Sequence, residues 1–201
     1  VDVTDTTDEV VAKLTATPSV TEGGEITYTI TLTNKDGLPI NNHGALTFTL
    51  SDGKTVITVP ANGTSGSITV TAPDNVYVGS NTPVVQSIAT VAGADVGKFE
   101  QLTLDKTPVS TTVTDTVDTT NLSLSATNSV AEGGSIIYTA TLSNPAGTPV
   151  TVTLSNGSVI TIEAGKTTGT VTVPAPADDV YKDAGKVEVT IKDATGGNFE
   201  N

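Results

Sequence analysis

The sequence specifies an all-β protein, built as two tandem antiparallel β-sandwiches. Three observations predict this. A block of sequence occurs twice, apolar residues alternate with a period of two, and short runs of that kind are separated by turn-forming dipeptides. The repeat is plainest where TEGGEITYTITLTN at 21–34 returns as AEGGSIIYTATLSN at 131–144, with nine of fourteen positions identical. It extends over most of the chain. VTDTTD at 3–8 returns as VTDTVD at 113–118, LSDGKTVITV at 50–59 as LSNGSVITI at 154–162, PDNVY at 73–77 as ADDVY at 177–181, and GKFEQ at 97–101 as GNFEN at 197–201. Self-similarity at this spacing marks a tandem duplication. The 201 residues therefore divide into two units, expected at 1–116 and 117–201, each large enough for a modest core of its own.

Within a unit the pattern is that of strands. In Glu25–Leu32, the residues Ile26, Tyr28, Ile30 and Leu32 point to one face, and Thr27, Thr29 and Thr31 to the other. Thr, Val and Ser suit pleated strands better than helices. In chain order, strands are expected at about 10–17, 25–33, 45–50, 55–60, 66–72 and 83–92, then a long irregular segment and a last strand at about 107–115. Asp52-Gly53, Asn62-Gly63 and Asn156-Gly157 supply the turns, because these residues accept positive φ at low cost. Seven short strands in about 100 residues describe an immunoglobulin-like sandwich, with a small barrel as the alternative. The second unit repeats the first six strands but reaches Asn201 where a seventh should follow. Either that strand lies outside residues 1–201, or PVSTTVTDT at 108–116 opens the second unit and the boundary falls near 106.

Composition narrows the function. Aromatic residues are 3 % of the chain and Trp and Met are absent, so the core must be aliphatic. There is no Cys, which excludes disulfides, thiolate metal sites and Cys nucleophiles. With 22 acidic against 9 basic residues the net charge is −13, which repels nucleic acid and anionic membrane surfaces. No apolar run approaches membrane-spanning length and no signal peptide is visible. The opening VDVTDT reads as mid-strand sequence, so a segment cut from a longer polypeptide is expected.

The positions of the acids carry the functional argument. Loops of an antiparallel sandwich alternate between its two ends. The turn with Glu22, the turn with Asp52 and the loop with Asp74 and Asn75 should share one pole, where the last strand also delivers Asp115 and then Asp118. Four carboxylates, Glu22, Asp74, Asp115 and Asp118, would then converge where two units meet. Gathered carboxylates repel, and need protons, cationic partners or a divalent ion. Hard oxygen ligands without His or Cys select Ca2+, which takes six to eight oxygens at about 2.3–2.6 Å. Gly23 and Gly24 would let the turn direct its carbonyls inward. Glu132, Asp178 and Asp179, with Asp183 beside them, repeat the set in the second unit. Asp5 and Asp8 would serve a junction with a preceding unit.

V-x-E-G-G-x-I-x-Y-T-x-T-L, then D-[ND]-V-Y, then V-T-D-T-x-D, resembles Calx-β and related immunoglobulin-like extender repeats. More closely, it is similar to the Cys-free repeats of giant biofilm adhesins of Gram-negative bacteria, of the RTX, type 1-secreted kind. The resemblance covers nearly the whole chain. It implies a monomeric spacer that contacts neighbouring repeats of the same chain, sits on the cell surface of an outer-membrane-anchored adhesin, and is stiffened by Ca2+. Carried over position by position, it implies ligands at Glu22, Asp74, Asn75, Asp115 and Asp118, and at Glu132, Asp178 and Asp179. Asn75 departs from the second copy, which has Asp179.

Two other functions fit the residues less well. Catalysis is disfavoured: the single His43 lies in a loop, NNHG, with no second copy, and reads as a solvated side chain. Paired acids at a domain junction are not placed as in a glycosidase groove. A carbohydrate- or partner-binding module would show exposed aromatics, whereas Tyr28 and Tyr138 fall on the inward face of their strands. Only His43 and the longer 35–44 loop offer a binding hint.

Overall fold

A computed structural model describes residues 1–4, 7–79, 81–176 and 185–201. The predicted ligands Asp178 and Asp179, with Asp183 beside them, and the junction residue Asp5 lie outside the described residues. The chain is almost entirely β, with one 3-10 turn at Val96–Lys98 and no α-helix among the described residues. It divides into two compact units: unit 1 comprises Val1–Asp74 and Asn81–Asp115, and unit 2 comprises Asn75–Ser80 and Thr116–Asn201.

Unit 1 contains β1 (Glu9–Ala16), β2 (Ser19–Thr21), β3 (Glu25–Asn34), β4 (Leu46–Leu50), β5 (Val56–Val59), β6 (Ser65–Thr71), β7 (Val84–Gln86), β8 (Ile88–Ala92), β9 (Gln101–Leu104) and β10 (Val109–Thr114). One sheet has the order β6-β3-β1-β9, a second β5-β4-β8, and a third β2-β10-β7. The alternation read from the sequence sets the register: Leu14 lies opposite Ile30 and Tyr28 opposite Ile68, so apolar side chains stack on one face. Those faces share one core, where Ile26, Ile30, Leu46, Phe48, Leu50, Ile57 and Ile88 are buried. Phe48, opposite Ile57 and Val91, is the only phenylalanine among the buried core residues.

Two elements depart from the sequence reading. The stretch expected to be irregular holds β9, which pairs in parallel with β1, Val10 opposite Leu102. The turn region after β1 holds β2, which pairs in parallel with β10, Val20 opposite Val113. Thr111 of β10 is fully buried and its hydroxyl donates to the Thr17 carbonyl at 2.7 Å. This bond ties the last strand of unit 1 to the link between β1 and β2.

Unit 2 contains β11 (Leu122–Ala126), β12 (Ser135–Leu142), β13 (Val150–Leu154), β14 (Val159–Ile162), β15 (Thr168–Pro174) and β16 (Ile191–Gly196). Its sheets are β11-β12-β15 and β14-β13-β16, around a separate core that includes Tyr138, Ala140, Val152, Leu154 and Ile160. The short Asn75–Ser80 segment belongs here as well. The Tyr77 ring stacks on Phe199 with centroids 5.7 Å apart, and Glu200 N–H donates to the Val76 carbonyl at 3.0 Å.

Tyr28 is buried, and its hydroxyl finds no hydrogen-bond partner among the described residues. Burial, and then the nearby Asp52 charge, push this phenol above its ordinary range. A buried hydroxyl with no partner carries a desolvation penalty. Tyr28→Phe is accordingly expected to leave unit 1 as stable or to stabilise it by about 1 kcal/mol in urea denaturation. A loss larger than that would show that the hydroxyl is satisfied.

Candidate metal-binding site

The Glu-Gly-Gly turn follows β2 and is tied by its backbone to two distant strands. Glu22 N–H donates to the Thr114 carbonyl at 2.9 Å, which sets the turn beside the end of β10 and therefore beside Asp115. Ala72 N–H donates to the Gly24 carbonyl at 2.7 Å, which brings in the end of β6 and with it Asp74. Gly23 has φ of 68°, a left-handed conformation that glycine adopts without strain. A Cβ there would stand 3.6 Å from an Asp74 carboxylate oxygen, so this residue lies directly under that side chain. Gly24 is needed for a second reason, because its Cβ would approach the Thr21 carbonyl to 2.8 Å. Its own carbonyl accepts the Ala72 N–H.

The result is a group of acids on a buried anchor. Glu22 is only 5 % exposed, and one of its carboxylate oxygens comes within 4.8 Å of one from Asp74 and of one from Asp115. Both aspartates are exposed. The Asn81 side-chain amide donates to Asp115 and braces it. Glu22 with Asp74, and Glu22 with Asp115, each belong to a group of carboxylates close enough to hold a metal ion.

The remaining predicted residues fall elsewhere. Asn75 belongs to unit 2, where its side-chain oxygen accepts the Tyr77 N–H at 2.9 Å. Glu132, in the second Glu-Gly-Gly turn, is exposed where its counterpart Glu22 is buried. The backbone of that turn is nonetheless reproduced: Gly133 has φ of 73° and Ala175 N–H donates to the Gly134 carbonyl at 2.8 Å. In unit 2, Asp118 N–H donates to the Glu200 carboxylate at 2.7 Å.

That last bond identifies two glutamates the sequence reading missed, Glu200 and its counterpart Glu100. In unit 1 the matching Asp8 N–H donates to the matching Glu100 carboxylate at 2.5 Å. The signal was the repeated Phe-Glu in GKFEQ and GNFEN. Asp8 precedes β1, and Glu100 precedes β9, which runs parallel to β1. These two acids therefore mark one end of unit 1, and Glu22, Asp74 and Asp115 mark the other.

Two further polar groups have structural roles. Burial pushes the Asp52 carboxyl up, but hydrogen bonds from the Thr55 hydroxyl and from the Thr55 and Lys54 N–H groups outweigh it and hold the group below the usual carboxylate range. This closes the Asp-Gly turn between β4 and β5. His43 was expected to be solvated, yet it is 4 % exposed. Its Nδ1 lies 2.7 Å from the Gly44 carbonyl and its Nε2 2.8 Å from the Gly63 carbonyl, with the Phe99 ring at 5.6 Å. Its contacts come from segments 20 and 56 residues away, which no local pattern reveals.

These features define an all-β, internally duplicated module with acidic clusters. Each repeat matches the LapA domain family model, over residues 8–116 and 118–201. The chain therefore belongs to the LapA domain family, which takes its name from a large, biofilm-related adhesin. No curated protein matches the chain. The family is structural and adhesive rather than enzymatic and points to the cell surface. No helix is long and apolar enough to cross a membrane among the described residues.

Proposed function

We propose that the chain is a non-catalytic extender of a large bacterial surface adhesin. In this reading it consists of two immunoglobulin-like β-sandwich repeats, 1–116 and 117–201. Ca2+ bound at the poles of each repeat, and at the junction between consecutive ones, stiffens them. The observation that carries the proposal is the gathering of Glu22, Asp74 and Asp115 by backbone bonds around one turn, with Glu22 buried. Like charges held this close favour a divalent ion, and an all-oxygen donor set suits Ca2+ better than a transition metal.

The second support is the Asp8–Glu100 arrangement at the other end of unit 1, repeated as Asp118–Glu200 in unit 2. A module with acids at both ends is suited to end-to-end linkage through shared ions. Asp118 follows Asp115 by three residues, a span of at most about 10 Å of extended chain. When bound, Ca2+ supplies charge neutralisation and cross-linking. The residues of this chain hold it and restrict hinge motion, and without it carboxylate repulsion loosens the joint. The partners are neighbouring repeats of the same chain, and the module acts as a monomer.

Calorimetry and small-angle scattering with and without chelator test the reading. At a Ca2+ concentration about 100-fold above Kd, linkage adds about 2.7 kcal/mol, enough to raise the melting temperature by about 10 °C. The dimensions should extend at the same time, and Glu22→Ala with Asp115→Ala should remove most of both effects. Identical melting and dimensions in the two conditions would refute the calcium role. Among the described residues, the aromatics that a carbohydrate-binding role would use are turned inward: Tyr28, Tyr138 and His43 are buried, and Tyr77 is stacked on Phe199.

A further inference from the structure

Among the described residues, all but two of the strand pairings in unit 1 are antiparallel, and the two exceptions join its first strands to its last. Glu9 to Ala12 of β1 lie opposite Gln101 to Leu104 of β9, an offset of 92 residues. Ser19 to Thr21 of β2 lie opposite Thr112 to Thr114 of β10, an offset of 93. The stretch 9–21 therefore runs alongside 101–114 in one direction and nearly one register, although its two halves belong to different sheets.

Further hydrogen bonds close this pairing at both ends. Where the chain enters, Asp8 N–H donates to the Glu100 carboxylate at 2.5 Å. Where it leaves, Glu22 N–H donates to the Thr114 carbonyl at 2.9 Å. Between these, Asp105 N–H donates to the Ala12 carbonyl at 2.9 Å and Thr112 N–H to the Pro18 carbonyl at 3.0 Å. Two hydroxyls bind across the same seam. Thr111 donates to the Thr17 carbonyl at 2.7 Å, and Thr114 to the Val20 carbonyl at 3.3 Å. Val10, Ala12, Leu14 and Val113 are buried, so one face of the seam is shielded from water.

Strand direction decides how such a seam responds to tension. A pull on the chain ahead of β1 and behind β10 draws parallel strands past each other along their own axes. Ladder bonds run between strands rather than along them, so this pull strains them together and they must fail together. Had the first and last strands paired antiparallel, entry and exit would lie at the same end of the ladder. The same pull would then open it from that end, one bond at a time. We propose that the pairing of 9–21 with 101–114 is a load-bearing clamp, through which unit 1 resists tension applied between Asp8 and Asp115. The tension itself rests on the extender reading, whereas the resistance is a property of unit 1 and needs no bound ion.

The chain has no native Cys, so paired cysteines give unique handles for single-molecule force spectroscopy. Thr7→Cys with Val117→Cys loads the seam in shear. Thr7→Cys with Gln101→Cys pulls on adjacent strand ends and peels β1 from β9, since Glu9 lies opposite Gln101. At one loading rate the shear pair should need about two- to threefold the force of the peel pair, because forced unfolding follows the unfolding rate rather than equilibrium stability. Thr112→Pro deletes the N–H that the Pro18 carbonyl accepts. It should remove most of that difference and leave the peel force unchanged. Thr111→Val, a gentler change of the same shape, should lower the shear force in the same sense. Gly53→Ala, in the turn between β4 and β5, should lower equilibrium stability without lowering the shear force. The series is run in chelator and again with Ca2+, and shear should exceed peel in both whether or not the ion raises either force. Equal forces in the two geometries would overturn the proposal, as would equal losses of shear force from Thr112→Pro and Gly53→Ala.

Discussion

Phe48→Ala is expected to remove most of the stability of unit 1. Phe48 sits at the centre of β4, fully buried, with Ile57 on one neighbouring strand and Val91 on the other. Apart from Tyr28 the buried core of unit 1 is aliphatic, and close-packed aliphatic side chains cannot reorganise to refill an aromatic volume. Removing a buried phenylalanine side chain costs about 3–5 kcal/mol. Native domains hold only about 5–15 kcal/mol in all. For a unit of this size the loss corresponds to a fall in melting temperature of about 15–30 °C. Calorimetry should show the fall in one transition only, because the two units have separate cores. Phe48→Leu should restore most of it. Equal falls in both transitions would show that the units unfold together.

That core was legible in the sequence because strands advertise their buried face at every second residue. Ile26, Tyr28, Ile30 and Leu32 were assigned inward from alternation alone, and all four are buried. The final strand of unit 1, expected at 107–115, is β10 at Val109–Thr114. Two short strands were not legible. β2 and β9 have three and four residues, too few for a period to register, and each is defined by parallel pairing with a segment about 90 residues distant. The stretch 83–92 is interrupted at Ser87, where the chain passes from pairing with β10 to pairing with β4, so one expected strand is divided into β7 and β8.

The acidic site was legible for a different reason. Glu22, Asp74 and Asp115 were placed at one pole by the direction of their strands, and strand direction survives errors of a residue or two at the boundaries. The Asp8–Glu100 bond was not legible although its motif is repeated, because it joins residues 92 apart and β9, the strand that follows Glu100, is too short for a period to register. His43 was misjudged because its burial depends on three separate segments. Local pattern reports which way a strand faces, not which loops fold over it.

Gly66→Ala and Gly169→Ala are expected to be nearly as severe as the loss of the core aromatic. Both glycines lie near the start of a strand otherwise rich in Ser, Thr and Val, in TSGSITV and TTGTVTV. Neither has positive φ, so conformational freedom is not the reason for them. The reason is a close approach between sheets. β6 belongs to the sheet with β3 and β1, and β5 to the one with β4 and β8. A Cβ on Gly66 would stand 2.0 Å from the Thr58 carbonyl oxygen and 2.7 Å from its carbon. At Gly169 the matching Thr161 oxygen would be 2.4 Å away. The obstacle is backbone in both cases, and it cannot swing aside like a flexible side chain. The strands must separate, and the edge where the two sheets close must open. Overpacking of this kind costs about 3 kcal/mol or more. The distances also rank the two, with Gly66→Ala the worse. Two controls separate packing from conformation. Gly53 has φ of 71° with nothing within 4 Å of its Cβ position, so Gly53→Ala should cost about 1 kcal/mol through backbone strain alone. Gly97 has open space and no positive φ, so Gly97→Ala should be close to neutral. Denaturant midpoints for the four variants should fall in the order Gly66, Gly169, Gly53, Gly97, from most to least destabilised. A Gly66→Ala variant as stable as Gly97→Ala would mean that the two sheets do not close at Thr58.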